Sequence, residues 1–519
     1  MFKKYTPVAA LCTLLWLSLP VLSAETGVDY ANLPTQVCPE PPIRLDPAVR
    51  TVAGGMFHRD LWRASDSLRA LATELRTLAD DGLYPDQYHL SWLESRRRGD
   101  DLDTCEALLA SQILVQALSD LTLGRVDPHR AELVWYRHPM TDEDRVRALS
   151  ALVASGDDPQ ALIQAARPAF APYQHLRAAY VAARDNPPRD PWPEIPAGPS
   201  LREGDTGERV ALLRARLAAE GYTAAEAAVV EHFDVGLGDA VKVFQLRHGL
   251  AVDGVAGRKT LAELNRDAEQ RVARMRVNLE RMRWLARDMA PRTLVVDVTA
   301  ARVMYYRGGE LAWTSRAQMG MASRATPALV SSLTHVTLNP TWTVPPTILR
   351  NDKLPEIRRD ISYLTKNRLK VLDREGNVLD PGQVDWSNPG GIILRQDAGP
   401  RNALGRIAFR FPNPFAVYLH DTPNQHLFDS GERFFSSGCV RIKDAMTMAD
   451  LLFSDGGDER KAEFSRVLES GRTGNLNLPQ PVPLIMGYWT AEADAQGQVF
   501  FRPDVYDLDQ ALLSLLQKK

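Results

Sequence analysis

The residues of this sequence best suited to chemistry are a cysteine and a histidine in its C-terminal part. Cys439 follows Ser437 and Gly438, and His420 precedes this turn at the end of a stretch that alternates apolar and polar residues. A thiolate attacks carbonyl carbon, and an adjacent imidazole can take the proton of the thiol. The pair predicts acyl transfer, with Cys439 as the nucleophile and His420 as the base.

Two other histidines are alternatives for the base. Residues 415–420 predict a strand, and the alternation over 417–420 turns Tyr418 and His420 to the same face, away from the core. His426 lies in the loop that must return the chain to the cysteine, so its position is less constrained. His335 lies on another predicted strand and is the fallback base.

The residues around the cysteine offer the donors that acyl transfer requires. The turn 437–439 presents consecutive backbone N–H groups for an oxyanion, and Gly438 allows a close approach. Tyr418 can donate its hydroxyl from the neighbouring strand, and Arg441 supplies a fixed charge suited to a carboxylate. A helix predicted over about 443–453 would begin just after the cysteine, so its dipole would favour the thiolate.

Composition and periodicity divide the rest of the chain into several units. A formal net charge of −3 gives no global electrostatic case for nucleic acid, and a hydrophobic fraction of 45% is that of a soluble globular protein. Region 25–185 is Ala/Leu-rich with helical spacing and predicts a scaffold of packed helices. The prolines of 186–200 predict a stiff linker and a domain boundary.

The C-terminal two thirds contains three further predicted units. Segment 201–266 predicts a small module of three helices. Segment 267–290 predicts a basic connecting helix with an apolar stripe on one face and arginines on the other. Over 291–519 the period changes to that of strands, with an insertion at about 345–390 that carries a helix near 354–366. The fold class is therefore multidomain α+β.

The N-terminus has the pattern of an export signal. Lys3 and Lys4 precede an apolar run over about 8–21, and the small residues Ser23 and Ala24 follow it. This pattern predicts a signal peptide over 1–24 and hence an exported protein. An uncleaved inner-membrane anchor is the alternative.

Cysteine usage agrees with export. The sequence has four cysteines, and removal of the signal peptide would take Cys12 away. Cys38 and Cys105 both lie in the N-terminal region and are candidates for a disulfide in an oxidising compartment. Cys439 is then the thiol left over for chemistry.

Two segments carry the motifs of known families. Segment 201–266 resembles the peptidoglycan-binding domain 1 family in its Gly-Asp-x-Gly opening at Gly204, its Phe244-Gln245 pair and its terminal Leu264-Asn265. The catalytic segment resembles the YkuD-type L,D-transpeptidase signature in its His-Asp-Thr and Ser-x-Gly-Cys-Val-Arg motifs, which are His420-Asp421-Thr422 and Ser436-Ser437-Gly438-Cys439-Val440-Arg441. It most resembles the large YcbB-like Gram-negative branch, which combines a helical scaffold, a peptidoglycan-binding module and a mostly-β catalytic domain with an inserted helical cap.

This resemblance implies roles for individual residues. Cys439 is the nucleophile, His420 is the base, and Ser437 and Gly438 belong to the motif turn. The carbonyl of Asp421 would orient the imidazole, and Arg441 would lie beside the substrate. No cofactor and no metal are implied.

The resemblance also implies a reaction in the periplasm. Peptidoglycan stem peptides are the substrates: a tetrapeptide donor loses its terminal D-Ala to form a thioester, and an amine of an acceptor stem resolves it into a 3→3 cross-link. Carbapenems would acylate the same cysteine, and other cell-wall synthesis proteins are expected partners. The alternatives are an L,D-carboxypeptidase, in which water resolves the thioester, and a non-catalytic scaffold that binds peptidoglycan.

Overall fold

The computed structural model describes residues 47–56, 62, 66–96, 102–131, 135–137, 140–156, 158–222 and 229–518. The predicted signal peptide and Cys38 lie outside the described residues. Cys105 is disulfide-bonded. Among the described residues, the structure contains no helix whose length and hydropathy would let it cross a bilayer.

The N-terminal unit is a bundle of helices with its own apolar core. Its longest helix begins at a capping box, in which the side chain of Asp103 accepts from the N–H of Glu106 and the side chain of Glu106 accepts from the N–H of Asp103. The elements of this unit are α1 (Pro47–Met56), α2 (Ser67–Thr77), α3 (Leu90–Glu94), α4 (Thr104–Leu123), α5 (Pro128–Ala131), the short strand β1 (Trp135–Tyr136), α6 (Asp142–Ala154), α7 (Pro159–Ala166) and α8 (Ala171–Asp185).

A small helical module follows. Gln245 holds the loop of this module, because its side-chain oxygen accepts from the N–H of Gly254 at 2.9 Å and its amide donates to the carbonyl of Val255 at 3.0 Å. Ile195, from the proline-rich segment, is buried in the same core, so the end of the predicted linker packs on the module. The described helices here are α9 (Glu208–Ala219), α10 (Val235–Arg247) and α11 (Arg258–Leu264), and α12 (Ala268–Ala286) comes next.

The insertion in the C-terminal unit is a separate layer with its own apolar core. The predicted helix over 354–366 is two short helices, and the sequence prediction of a helical cap missed a three-stranded sheet of order β6-β8-β7. The strands have only two to four residues, too few for a clear alternation of polarity. The elements are β6 (Trp342–Thr343), α13 (Pro346–Ile348), a π-helix (Leu349–Lys353), α14 (Leu354–Arg359), α15 (Tyr363–Lys366), β7 (Lys370–Leu372) and β8 (Ile393–Gln396).

The C-terminal unit is a ring of strands around the largest apolar core of the described chain. Its order is β5-β13-β2-β3-β4-β12-β10-β9, and β9 pairs back with β5. The elements are β2 (Thr293–Asp297), β3 (Arg302–Arg307), β4 (Glu310–Gly320), β5 (Ala328–Leu338), β9 (Ile407–Arg410), β10 (Leu419–His420), β11 (Phe434–Ser436), β12 (Val440–Ile442), α16 (Ala445–Ser454), α17 (Gly457–Glu469), β13 (Gly474–Gly487), β14 (Ala491–Ala493), β15 (Val499–Phe501) and α18 (Asp509–Gln517).

Helix α12 forms where the connecting helix is predicted, and it is buried on most sides, its arginine face included. Arg271, Arg274 and Arg283 are at most 5% exposed. Arg283 pairs with Glu280 at 2.5 Å, and Glu263 of the helical module accepts from both other arginines. The helix packs against α4, α8, α18 and β14 at once, so its polar face is enclosed and its charges are paired inside the protein.

A second buried ion cluster joins α8 to the turn after α2. The carboxylate of Asp81 is fully buried and accepts from Arg167, Tyr173 and Arg177, each at 2.9 Å. We predict that Asp81→Asn lowers the free energy of unfolding of the scaffold by about 3 kcal/mol, because removing one charge of a buried cluster leaves the others uncompensated. Urea unfolding followed by far-ultraviolet circular dichroism measures the change.

Asp239→Asn is the matched control for this variant. Asp239 pairs with Lys242 at 2.9 Å, but both side chains are about half exposed or more. An exposed pair of this type contributes at most about 0.5 kcal/mol. Equal losses in the two variants would show that burial of the Asp81 cluster adds nothing to stability.

Candidate active site

Four of the predicted site residues lie on two adjacent strand segments and share one face. Strands β10 and β12 are parallel, with Leu419 opposite Val440. Both of these residues are fully buried in the core of the ring. Because side chains alternate along a strand, their neighbours project from the opposite face, where they form a row. These neighbours are Tyr418, His420, Cys439 and Arg441.

His420 is held by the backbone of the next residue. Its Nδ1 lies 2.5 Å from the carbonyl oxygen of Asp421, which can only accept, so Nδ1 carries the proton and Nε2 is left with a lone pair. The carboxylate of Asp421 in turn accepts from the N–H of Arg406 at 2.9 Å. Gly405 makes room for this contact, since a Cβ there would overlap the carboxylate.

His420 is neutral at physiological pH. Burial, followed by the nearby charges of Arg441 and Arg410, lowers the pKa of the imidazole to about 3, although the Asp421 contact acts in the opposite direction. A neutral imidazole with a free Nε2 can accept a proton. Its basicity rises when negative charge develops beside it, as it does during attack by a thiol.

Cys439 is half-buried at the edge of the core and is a free thiol. Burial raises the pKa of this thiol. Hydrogen bonds from Tyr418 and the charges of Arg441 and Arg410 act against burial. The resting site is therefore a neutral thiol beside a neutral imidazole, with donors and cations arranged around the sulfur.

The position of Cys439 corrects one prediction from the sequence. The cysteine is followed directly by β12, and α16 begins only at Ala445. The helix dipole expected to favour the thiolate therefore does not start at the cysteine. The segment Val440-Arg441-Ile442 alternates apolar and charged residues and extends as a strand, because it pairs with β10 on one side and β4 on the other.

The turn before the cysteine is built by Ser436, to which the sequence interpretation gave no role of its own. Its hydroxyl accepts from the N–H of Gly438 at 3.1 Å and donates to the carbonyl of Cys439 at 2.5 Å. The N–H of Gly438 is thus engaged and is not free for an oxyanion in this structure. Gly438 has a φ of +107°, which L side chains rarely adopt, so the turn requires glycine. The sequence signal for this turn was a serine two residues before a glycine, because a serine hydroxyl commonly bonds a backbone N–H two residues further on.

Ser437 connects the turn to the inserted cap. Its hydroxyl accepts from Arg324 at 2.9 Å, and the same guanidinium forms a bidentate pair with Asp352 of the π-helix, with both distances 2.6 Å. Arg324 lies between β4 and β5 and was not predicted from the sequence. One arginine therefore joins the cap to the residue two positions before the nucleophile.

Arg441 is held by a buried glutamine. Its Nη1 donates to the side-chain oxygen of Gln318 at 3.2 Å, and the two residues are opposite each other on β12 and β4. The Nε of Arg441 and the amide nitrogen of Gln318 are both buried and have no hydrogen-bond partner among the described residues. Two unpaired donors beside the nucleophile suit a ligand that brings oxygen acceptors.

The other two histidines lie elsewhere. His335 is on β5, which β9 and β10 separate from β12, and its Nδ1 contacts the Thr334 hydroxyl at 2.9 Å. His426 is exposed in a short helix over Gln425–Asp429. The predicted strand over 415–420 is also shorter, because Ala416 adopts a φ of +54° and the chain extends only at Leu419–His420.

The described residues contain no group of three or more His, Cys, Asp or Glu side chains placed to hold a metal ion. The arrangement present is a thiol, an oriented neutral imidazole, a tyrosine hydroxyl and the guanidinium of Arg441 on one face, with the charge of Arg410 nearby. Such a set can deprotonate the thiol as it attacks a carbonyl and can stabilise the oxyanion that forms.

Comparison with known families agrees with this geometry. Residues 291–454 match the YkuD model, described as "L,D-transpeptidase catalytic domain", and residues 206–264 match a model described as "Putative peptidoglycan binding domain". Residues 58–179 match a model described as "Scaffold domain". The prediction of a multidomain chain with a helical scaffold, a peptidoglycan-binding module and a mostly-β YkuD-type catalytic domain is confirmed.

Individual proteins are also similar to parts of this chain. A Haemophilus influenzae protein named "Putative L,D-transpeptidase" is 36% identical over 224 residues, which are 42% of this chain and 45% of that protein. The match thus spans less than half the length of that relative.

Two solved L,D-transpeptidases show a weaker likeness. One, from Xylanimonas cellulosilytica, is 15% identical with a TM-score of 0.19 and covers 56% of this chain and 100% of its own. The other, from Mycobacterium smegmatis, is 15% identical with a TM-score of 0.20 and covers 38% of this chain and 58% of its own. At these TM-scores the likeness supports no statement about geometry.

The electrostatics of the site predict how the thiol titrates. Because burial raises the pKa of Cys439, the thiolate is scarce at pH 7 and increases as the pH rises. We expect the rate of iodoacetamide alkylation at Cys439 to climb with a midpoint above the usual thiol value of about 8.5. Mass spectrometry of the Cys439 peptide between about pH 6 and pH 10 measures this rate.

His420→Ala is the control for this titration. Since the imidazole is already neutral across this range, its removal should shift the midpoint only slightly. A rate that reaches its plateau below about pH 7 in the unsubstituted protein, and loses that plateau in His420→Ala, would instead show a resting thiolate–imidazolium pair.

Proposed function

Given that the chain carries a YkuD-type L,D-transpeptidase catalytic domain and a peptidoglycan-binding module, we propose that it is an L,D-transpeptidase that joins peptidoglycan stem peptides through a thioester on Cys439. The observation that carries the proposal is the row on β10 and β12. There a neutral imidazole with its Nδ1 proton tied to a carbonyl stands on the strand next to a free thiol.

The first half of the reaction acylates the enzyme. The proton of the Cys439 thiol moves to Nε2 of His420 as Sγ attacks the carbonyl of the third residue of a tetrapeptide stem. The resulting oxyanion is stabilised by donors that surround the sulfur, among them the hydroxyl of Tyr418. The C–N bond to the terminal D-Ala then breaks, His420 protonates the leaving amine, and a thioester remains.

The second half transfers the acyl group. The side-chain amine of an acceptor stem attacks the thioester, loses its proton to His420 and forms the 3→3 amide bond. The thiolate leaves and recovers the proton. Arg441, with a buried Nε that lacks a partner among the described residues, is suited to a substrate carboxylate, and stem peptides carry such groups.

The module supports a wall-directed role. Its core packs directly against the rest of the protein, since His248 of the module stacks between Phe244 and Phe501, with ring centroids 3.9 and 5.3 Å away. Peptidoglycan bound to the module would therefore lie close to the catalytic domain, because the two units are packed together. We propose a periplasmic location on the same grounds, since peptidoglycan lies outside the cytoplasm.

Product analysis tests the reaction. After incubation with disaccharide-tetrapeptide, the protein should yield 3→3 cross-linked dimers and free D-Ala, which liquid chromatography with mass spectrometry resolves. Cys439→Ala should yield neither product. His420→Ala should slow dimer formation by about 10²–10⁴-fold, the usual contribution of a general base.

His426→Ala is the matched control, because His426 lies six residues after His420, in the short helix Gln425–Asp429, and is exposed. Its rate should stay within about twofold of that of the unsubstituted protein. Shortened tripeptides without dimers would identify an L,D-carboxypeptidase. Dimers that persist in Cys439→Ala would refute the thioester mechanism.

A further inference from the structure

Arg410 lies on β9, next to the row of Tyr418, His420, Cys439 and Arg441. The sequence interpretation did not single it out. Strands β9 and β10 are antiparallel, with Phe409 opposite Leu419. The same register continued by one residue places Arg410 opposite Tyr418. The guanidinium carbon of Arg410 lies 4.2 Å from the centroid of the Tyr418 ring, which is the geometry of a close cation–π contact.

The charge of Arg410 is not neutralised by an acid. Within the described part of the chain, no carboxylate lies within 4.0 Å of its guanidinium, and its Nε donates to the hydroxyl of Thr337 at the long distance of 3.4 Å. The residue opposite it on β5 is His335, whose pKa is lowered by burial and by Arg410 itself. A half-buried cation thus stands beside neutral rings.

Tyr418 is the link between this cation and the nucleophile. Burial raises the pKa of the Tyr418 hydroxyl, whereas the charge of Arg410 and a hydrogen bond from it act in the opposite direction. Tyr418 lies beside the nucleophile, since its carbonyl accepts from the N–H of Val440 at 3.1 Å and its side chain is on the same face of the paired strands as Cys439. A cation over the ring draws electron density from the hydroxyl and makes it a stronger donor.

The turn between β9 and β10 sets the position of both residues. The side-chain oxygen of Asn413 accepts from the N–H of Val417 at 3.1 Å, and its amide donates to the carbonyl of Val417 at 2.9 Å. One asparagine therefore clamps the backbone just before Tyr418. The ring and the guanidinium are brought together by a closed turn between their strands and not by a flexible loop.

We propose that Arg410 is a positioning residue of the active site: stacked on Tyr418, it fixes the ring and strengthens its hydroxyl as the donor to the sulfur of Cys439 and to the oxyanion. Its charge also acts through space on the thiol, but the positioning role proposed here runs through Tyr418. The inference rests on the proposed function for its turnover readout, whereas its alkylation readout requires only the thiol.

A double-mutant cycle tests this proposal in the full-length protein. Arg410→Met, Tyr418→Phe and the double variant are compared for alkylation of Cys439 at about pH 8 and for kcat and KM with disaccharide-tetrapeptide. Arg410→Met should slow alkylation and kcat by about fivefold to tenfold, the size of a partly desolvated cation–π contact, with KM within about twofold. In the Tyr418→Phe background the same substitution should change either rate by less than about twofold.

Two further variants complete the design. Arg410→Lys keeps the charge and should restore at least half of the lost rate. Arg466→Met is the control, because Arg466 is exposed on α17, a helix that carries none of the site residues, and it should leave both rates unchanged. Arg410→Gln replaces Arg410→Met in both backgrounds if circular dichroism shows that the methionine variant does not fold.

The contrary outcomes are distinct. If the effects of Arg410→Met and Tyr418→Phe are additive, so that the methionine substitution costs as much in the Tyr418→Phe background as alone, Arg410 does not act through the tyrosine. A raised KM with unchanged alkylation would make it a substrate-binding residue instead. If no dimers form but the alkylation cycle is non-additive, the positioning role stands and the proposed function fails.

Discussion

The site depends on one backbone contact, the parallel pairing of β10 with β12. These two strands are only two and three residues long, yet their register places Leu419 and Val440 in the core and turns their polar neighbours outward together. A shift by one residue would exchange the two sets, burying the thiol and exposing the apolar residues. The apolar core that holds the register is therefore also what aligns His420 with Cys439.

The same burial sets the electrostatics of the site. Removing the imidazole and the thiol from water keeps both neutral at rest, and it strengthens the interaction of any charge that forms there with the surrounding donors and cations. Arg410 lies over the ring of Tyr418, and Arg441 lies two residues after Cys439 on β12. Transfer of the proton from the thiol to the imidazole is disfavoured before a substrate arrives and favoured once an oxyanion has formed. The thiol is therefore unreactive until a substrate is bound.

Much of this could be predicted from the sequence. The Cys439 and His420 pair, the face shared by Tyr418 and His420, and the change to a strand period after residue 290 follow from local patterns of a few residues. Strands β4, β9 and β12 were not predicted. The contacts that were missed depend on which strands become neighbours. Gln318 faces Arg441, and Arg410 faces Tyr418, because of the order of the strands in the ring. The spacing of polar and apolar residues along one strand does not show which strands become its neighbours.

Helix α12 shows the same limit at a larger scale. Its arginines and apolar residues predict an amphipathic helix, but several other elements pack around it. Glu263 of α11 pairs with Arg271, and Glu280 of α12 itself pairs with Arg283. Burial of a charge is decided by where its counter-ion lies, and Glu263 belongs to a different unit of the chain. The local pattern predicts the helix but not this long-range pairing.

The central claim is that Cys439 carries an acyl group during the reaction. The most direct test is the intact mass of the protein after incubation with a carbapenem, whose strained carbonyl would trap the thiol as a stable adduct. A single adduct that maps to Cys439 and is absent from Cys439→Ala is the result predicted here. An unchanged mass, or an adduct that persists in Cys439→Ala, would contradict it.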